Sequence, residues 1–471
     1  MYWANFLHFY QPPTQTSYWV KRVAKESYVP LIEGLAKHKK GKITLNINAI
    51  LVELLVKNGY AGLVKKIGTL ARRGQIEFTQ SAKYHPLLPK MPKEEIIRQV
   101  HLNDVTNKKF FGNAWKPKGF FPPEMAFDKR VARVIKELGY SWVIVDELSL
   151  PGGSKAMDWS TIYTIAGLGD FQIYFRDRHI SFKILSAQLG TGHMLIRELG
   201  KRIKTDTYLT TAMDGETFGH HRPGLEELLF DLWKSSDLKH ITISQLDGLF
   251  QKREVIDPIP STWALQHHEI ERNIPFARWD DPTNEIHAMQ WRLTKLLLRE
   301  LRHANTKARG FAHARRLADE ALHSDQYWWA SAKPWWSLEY MERGAKDHVD
   351  AIVNIPGVSQ KSKVLAEKLY MDILRTGFDW QRTGKVEAMA ASEDEEIRQR
   401  VDAGRPYMSA EDFKKMIHTL ERQMHGSAKA QEFERAAQFR DRIRELKEER
   451  AHFTGKKKGK LHHDIEDDWG F

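Results

Sequence analysis

Two hydrophobic periods alternate along the first 250 residues. Extended apolar runs with a period of two occur at YWANFLHFY (2–10), KITLNIN (42–48), QIEFTQSA (75–82), GFFP (119–122), YSWVIVDE (140–147), FQIYFRD (171–177) and TYLTTAMD (207–214). Between them, stretches such as 51–74 and 93–111 repeat their apolar residues every three or four positions and tend to end near a glycine. This βα repetition predicts a parallel sheet covered by helices. The polar residues then separate an open sheet from a closed barrel. The seven runs end in or near His8 and Gln11, Asn48, Glu77, Glu124, Asp146 with Glu147, Arg176 with Asp177, and Asp214 with Glu216. A barrel gathers the carboxyl ends of all its strands at one mouth, whereas an open sheet concentrates its site at one switch point. The pattern therefore predicts an α/β barrel over residues 1–280.

The later chain changes character. Residues 281–383 carry long helical periods, 287–304 and 310–323, leading into an aromatic-rich stretch, SDQYWWASAKPWW (324–336). Trp335 and Trp336 read as packing residues. Residues 384–410 turn polar and are expected to form a linker. Two amphipathic stretches follow within 411–450, with stripes of Phe413, Ile417, Leu420 and Met424, then Phe433, Ala436, Ala437, Arg440, Ile443 and Leu446. A break near Gly426 predicts an antiparallel helical hairpin. Residues 451–471 form a polar tail.

Composition narrows the function classes. At 471 residues, 41% hydrophobic and 28% charged, the chain is long enough for one large domain and one or two smaller ones. It has no apolar run of the roughly 20 residues a spanning helix needs, and its N-terminus lacks the features of a signal peptide, so a cytoplasmic location and no membrane partner are expected. Without cysteine there are neither disulfides nor thiolate metal ligands. The net charge of +12 comes from the first 383 residues, where 55 Lys+Arg face 42 Asp+Glu, since 384–471 carry 18 against 19. No basic stripe is interleaved with aromatics, so a solvated basic surface is expected, with no nucleic-acid partner.

The acidic strand ends suggest a specific chemistry. Cleaving a glycosidic bond with retention needs a nucleophilic carboxylate and a second carboxyl that donates a proton. Glu124 and Asp214 directly follow β-type runs, and Pro122 and Pro123 stiffen the turn that carries Glu124. His220 and His221 adjoin Asp214 and Glu216, but neither His-x-x-x-His on a helix nor His-x-Asp at the first strand is present, so they read as hydrogen-bonding or capping residues. No metal and no cofactor is expected.

Seven segments carry a family resemblance. HFYQPP (8–13), GQIEFTQSAKYHPLLP (74–89), GFFPPE (119–124), MDGETFGHH (213–221) and LHSDQYWW (322–329) resemble, in order, the five regions that define glycoside hydrolase family 57. FRDRHIS (175–181) and WDDPTNEIHAMQW (279–291) are similar to further stretches of that family. The resemblance implies a seven-stranded (β/α)7 barrel followed by a helical domain that completes the site. It further implies a retaining mechanism on α-linked glucans, with Glu124 as nucleophile and Asp214 as acid/base. His8, Glu77 and Glu216 are then expected to line the subsite of the reacting glucose, with Asp325 and Trp328 closing it from the helical side. Gln11, His85, Arg176, Asp177, His220 and Trp279 are expected substrate-binding residues. Tyr10 departs from the pattern, occupying the place of a second histidine.

The implied activities are those of an α-amylase, a 4-α-glucanotransferase or a branching enzyme, on an α-1,4-glucan or maltooligosaccharide. The alternative is a catalytically degenerate carbohydrate-binding or scaffold protein. A metal-dependent relative, such as a sugar deacetylase or α-mannosidase, is a third reading. EFERAAQFRDRI (432–443) closely resembles the UVR motif of two subunits of the bacterial excision-repair nuclease and of protein arginine kinase activators. That likeness implies a protein partner or self-association through 411–450.

Overall fold

The computed structural model describes residues 1–333, 335–391, 393 and 406–454. Its strands are β1 (Tyr2–Phe9), β2 (Ile43–Ile47), β3 (Ile76–Thr79), β4 (Gly119–Phe120), β5 (Trp142–Asp146), β6 (Thr161–Ile165), β7 (Gln172–Arg176), β8 (Tyr208–Asp214), β9 (Lys239–Ile241) and β10 (Lys252–Ile256). One sheet runs β3-β2-β1-β8, with β9 also on β1, and the other runs β10-β6-β7-β5-β4. All pairs are parallel except β6 with β7. The sheets meet at two seams. At one, Gln80 N donates to Gly119 O and Phe121 N donates to Gln80 O, both at 2.9 Å. At the other, Asp177 N donates to Thr210 O at 2.7 Å. The protein is thus an α/β fold built on curled parallel sheet.

The register sets the depth of every interior side chain. His8 pairs with Asn46 and Asp214, and Asn46 with Thr79, so these share one level. Phe6 pairs with Thr44, and Thr44 with Glu77, one pleat repeat toward the amino ends. Below the mouth, Phe6, Phe121, Trp142, Ile144, Tyr174 and Tyr208 form an apolar cluster. Burying such aromatic residues stabilises the fold and gives the polar layer above a rigid floor.

Each of the seven predicted runs contains a strand, while β6, β9 and β10 went unpredicted. β9 has three residues and most of β10 is exposed, so neither carries a strong alternation. The helical period predicted across 51–74 is two helices, Ala49–Lys57 and Ala61–Arg72. Gly59 separates them at φ +93°, a left-handed conformation that ends the first helix while the apolar phase continues into the next.

Helices Glu285–His303, Phe311–Ala321, Leu338–Val353 and Gln360–Arg382 pack beside β4–β7, burying Trp291, Tyr327, Met341 and Trp380. Residues 385–391, expected in the linker, are helical. The remainder of that predicted linker at 392 and 394–405, and the tail at 455–471, lie outside the described residues. Helices Ala410–Lys429 and Phe433–Thr454 then pack on each other. The chain does not break at Gly426, whose carbonyl accepts from Ala430 N at 3.0 Å within the first helix. It breaks at Gln431, where φ is +61°. The inward stripe also differs from expectation. Phe433 is 69% exposed and Arg440 is exposed, whereas Phe439, Ile443 and Leu446 are buried with Phe413 and Leu420 against the sheet's helices. The buried face thus keeps the expected Ile443 and Leu446 and takes Phe439 in place of Phe433 and Arg440. No helix among the described residues is long and apolar enough to cross a membrane.

Candidate active site

Glu124 follows β4 after two prolines and occupies left-handed backbone, φ +62° and ψ 17°. A non-glycine residue there costs about 1–3 kcal/mol and persists only where its surroundings over-determine it. Here Met125 N donates to Pro122 O at 2.8 Å, and Trp263 N donates to Glu124 O at 3.3 Å. Trp263 Nε1 also donates to Glu124 Oε2 at 3.0 Å, and His85 Nδ1 lies 3.7 Å from Oε1. Burial, then the charges of Asp325 and Asp214, push the Glu124 carboxyl well above the usual carboxylate range, against the hydrogen bonds from Trp263 and Ser324.

Asp214 ends β8, level with His8. Burial raises its carboxyl to about 7, while the charge of nearby Arg176 pulls the other way. Arg176 is fixed in turn by Asp146, 2.8 Å from its Nε, and by the Ala212 carbonyl. Two residues on, burial and then the charge of Asp214 raise Glu216 to about 8. Tyr28 OH and Gln11 Nε2, the latter at 3.0 Å, donate to Glu216.

A stack of rings forms another wall. Tyr10 and His85 lie 4.0 Å apart at 15°, and His8 lies 5.1 Å from His85 at 18°. Burial keeps both histidines neutral, His85 falling to about 4 and His8 well below its ordinary value. Tyr10 OH donates to Asp325 at 2.7 Å, and His323 Nδ1 lies 3.1 Å from the same oxygen. Burial opposes ionisation of Asp325, but the His323 hydrogen bond and charge, with the Tyr10 hydrogen bond, hold its carboxyl below the usual value. Tyrosine in place of the expected histidine thus takes a defined post, as a donor to a carboxylate supplied by the helical segment.

Glu124, Asp214, Glu216, His8, His85, Gln11, Arg176 and Asp325 therefore converge. Four predicted site residues do not join them. Glu77 lies one layer deeper, accepting from Thr44 Oγ1 at 3.2 Å and Ser244 N at 3.1 Å. Asp177 caps helix Arg178–Leu185 and accepts from Arg202. His220 Nδ1 lies 2.5 Å from Glu26, on the side of the C-terminal helices. Trp279 is fully buried under Trp328, their rings 5.1 Å apart.

A cavity of ≈ 150 Å³ is bordered by Arg176, Met213, Trp263, Trp328 and Trp335. Trp335, expected as packing, is 47% exposed and stacks on Trp328. Sequence reasoning missed Trp263, Ser324, Tyr28 and His323. Ser324 and His323 fall inside the matched LHSDQYWW stretch, whereas Trp263 and Tyr28 carry no local signal. Among the described residues no group of three or more His, Asp or Glu side chains is arranged to hold a metal ion.

With this geometry in place, comparison with known proteins is informative. Glycosyl hydrolase family 57 matches residues 7–246, half of the chain. The chain belongs to this family. A UvrB/uvrC motif also matches residues 414–449. An α-amylase of Pyrococcus horikoshii is 26% identical over 238 residues, 48% of this chain and 36% of its own length. A 4-alpha-glucanotransferase of Thermococcus litoralis is 26% identical over 30% of this chain and 21% of its own length. The chain thus spans about a third or less of the curated relatives it matches. Among solved structures, a family 57 branching enzyme of Pyrococcus horikoshii superposes with a TM-score of 0.61 at 15% identity, covering 80% of this chain and 94% of that one. At that identity the likeness concerns the family 57 fold alone.

Proposed function

We propose that this family 57 protein is a retaining glycoside hydrolase or transglycosylase acting on α-1,4-linked glucans or maltooligosaccharides. The names of its relatives, α-amylase, 4-alpha-glucanotransferase and branching enzyme, support that substrate class. The observation that carries the reading is the half-buried pair Glu124, in the turn after β4, and Asp214, at the end of β8, close enough that the charge of Asp214 raises Glu124. In this reading the two sheets are one (β/α)7 barrel, β1-β2-β3-β4-β5-β7-β8, closed through the seams at Gln80 and Asp177. Residues 281–383 form the helical domain that completes the site, and 411–450 form a helical hairpin.

The chemistry follows from the two carboxyls. Asp214 protonates the departing glycosidic oxygen while Glu124 attacks the anomeric carbon in its ionised form, which the hydrogen bonds from Trp263 and Ser324 favour against burial, giving a covalent glycosyl ester. Asp214, now ionised, takes a proton from water or from an acceptor sugar hydroxyl, which displaces Glu124 with a second inversion. A carboxyl raised to about 7 serves both steps near neutral pH. Trp263 steadies the nucleophile, Glu216 and Asp325 bind sugar hydroxyls, and Trp328 with Trp335 offers apolar faces to further rings.

Incubating the protein with maltoheptaose and amylose, beside Glu124→Ala, tests the reading. Wild type is expected to shorten, lengthen or branch these glycans with retained anomeric configuration, and Glu124→Ala to leave them unchanged. A wild type that alters no glycan sinks it.

A further inference from the structure

The second C-terminal helix reaches the loop that carries two of the acidic side chains. Arg435 Nη2 donates to Gly219 O at 2.5 Å, and its Nη1 lies 3.6 Å from Glu26 Oε2. Gly219 stands five residues beyond Asp214, in a loop closed on itself by His221 N donating to Glu216 O at 2.8 Å. Its φ is +96°, and a Cβ there would collide with Glu26 O, so loop and facing backbone are in direct contact. Glu26 belongs to a π-helical turn, Ala24–Tyr28, a conformation found mostly at functional sites. Three consecutive residues of that turn grip the loop. Glu26 engages His220, Ser27 Oγ donates to Gly215 O at 2.7 Å, and Tyr28 OH donates to Glu216. Arg435 holds the turn and the loop together.

The helix pair is itself seated by shape. A Cβ on Gly190 would collide with Met416, and one on Gly224 would press on Leu420. Asp412 is anchored by Thr191 and Arg197, and Gln423 Nε2 donates to Glu226 at 2.6 Å. The apolar face that an interaction motif would offer to a partner is spent on this chain's own sheet and helices.

We propose that Arg435 is a positioning residue for the catalytic loop. It fixes Gly215–Arg222 and, through Glu26 and Tyr28, the aim of Glu216 and Asp214, so that the C-terminal helices are a working part of the active site. This rests on the catalytic reading above.

The full chain is compared as wild type, Arg435→Ala, Arg435→Lys and Lys415→Ala. Lys415, on the first helix of the pair, has its ion-pair partner in Asp231 of helix Glu226–Lys234, outside residues 215–222. On maltoheptaose, Arg435→Ala is expected to lower kcat by about 10- to 100-fold with little change in KM, because small misplacements of reacting groups are costly. Arg435→Lys recovers part of the loss, and Lys415→Ala matches wild type. Hydrogen exchange supplies a readout independent of turnover. Amides 215–222 exchange faster in both Arg435 variants, while protection across 410–429 is retained in Arg435→Lys. A wild type without turnover overturns the sugar chemistry and leaves this exchange signature standing. Unchanged exchange at 215–222 in Arg435→Lys and Arg435→Ala, or an equal kcat loss in Lys415→Ala, overturns the positioning role.

Discussion

Glu77 and Asp214 are both interior carboxylates on parallel strands, and both are raised by burial. What separates them is the supply of donors. Glu77 lies in the lower layer, where Thr44 Oγ1 and Ser244 N both donate to its Oε2. Asp214 lies at the strand end, and among the described residues no side chain donates a hydrogen bond to its carboxylate; only the charge of Arg176 draws it down. A buried acid without donors is costly to maintain. In the proposed mechanism it is thereby free to deliver a proton to a substrate. Acidity within the curled sheet is, on that reading, a structural feature where donors are supplied and a chemical one where they are withheld.

The sharpest way to break this comparison is to neutralise each partner of the open pair. Asp214→Asn and Glu124→Gln are each expected to lower kcat/KM by about 10³-fold or more while thermal unfolding stays close to wild type. In the wild type, kcat/KM should fall as pH rises through about 7, because the proton donor is lost as Asp214 ionises. A pH profile flat from 6 to 9 would assign the acid to another group.

Tyr10→Phe comes next. It removes the 2.7 Å hydrogen bond to Asp325 and leaves the stack on His85 intact. Hydrogen bonds to charged groups contribute about 1.5–3 kcal/mol, so a loss of about tenfold or more in kcat/KM is expected, carried by the carboxylate's lost partner. A steady-state comparison with Tyr10→Leu, which removes both the donor and the ring, then separates the two, since Tyr10→Phe removes the donor alone.

The third prediction concerns stability against pH. Glu216 is raised from 4.5 to about 8, so the folded state holds its proton more tightly than the unfolded chain does. The stability this contributes is complete below the ordinary carboxylate range and is lost as pH rises through about 8. Glu216→Gln keeps an acceptor for Tyr28 and Gln11. Its Tm should therefore change less than that of wild type between pH 5 and 9, and should exceed it at the alkaline end.

The sequence made the seven strands, and the convergence of the acids that follow them, legible because both patterns are local. Alternation marks a strand, and an acid directly after it marks the strand's carboxyl end. Depth within the curled sheet is not local. Glu77 matches its family segment, yet its level is set by the pairing of Thr44 with Phe6 on one side and Glu77 on the other, which no single run contains. Trp263 escaped for the same reason, since its partner Glu124 is 139 residues away. Trp279 and Trp335 were transposed in role because helical packing, not residue type, decides which tryptophan faces the cavity. Gly426 was read as a break although glycine within a helix only costs stability, roughly 1 kcal/mol, and does not end it.

The smallest effect on turnover is expected where the comparison is least intuitive, at Glu77. Glu77→Ala leaves Ser244 N and Thr44 Oγ1 without their acceptor and loosens Ser244, whose Oγ accepts from Trp142 Nε1 at 2.8 Å. Orphaned buried donors cost about 1–3 kcal/mol each, so Tm should fall measurably. Turnover per folded molecule, however, should stay within about twofold of wild type, because the mouth stands on the Phe6–Phe121 floor and not on Glu77. If Glu77→Ala instead lowers kcat as far as Asp214→Asn does at a temperature where both are folded, the two layers are not independent. The lower carboxylate would then have to act on the substrate through the floor.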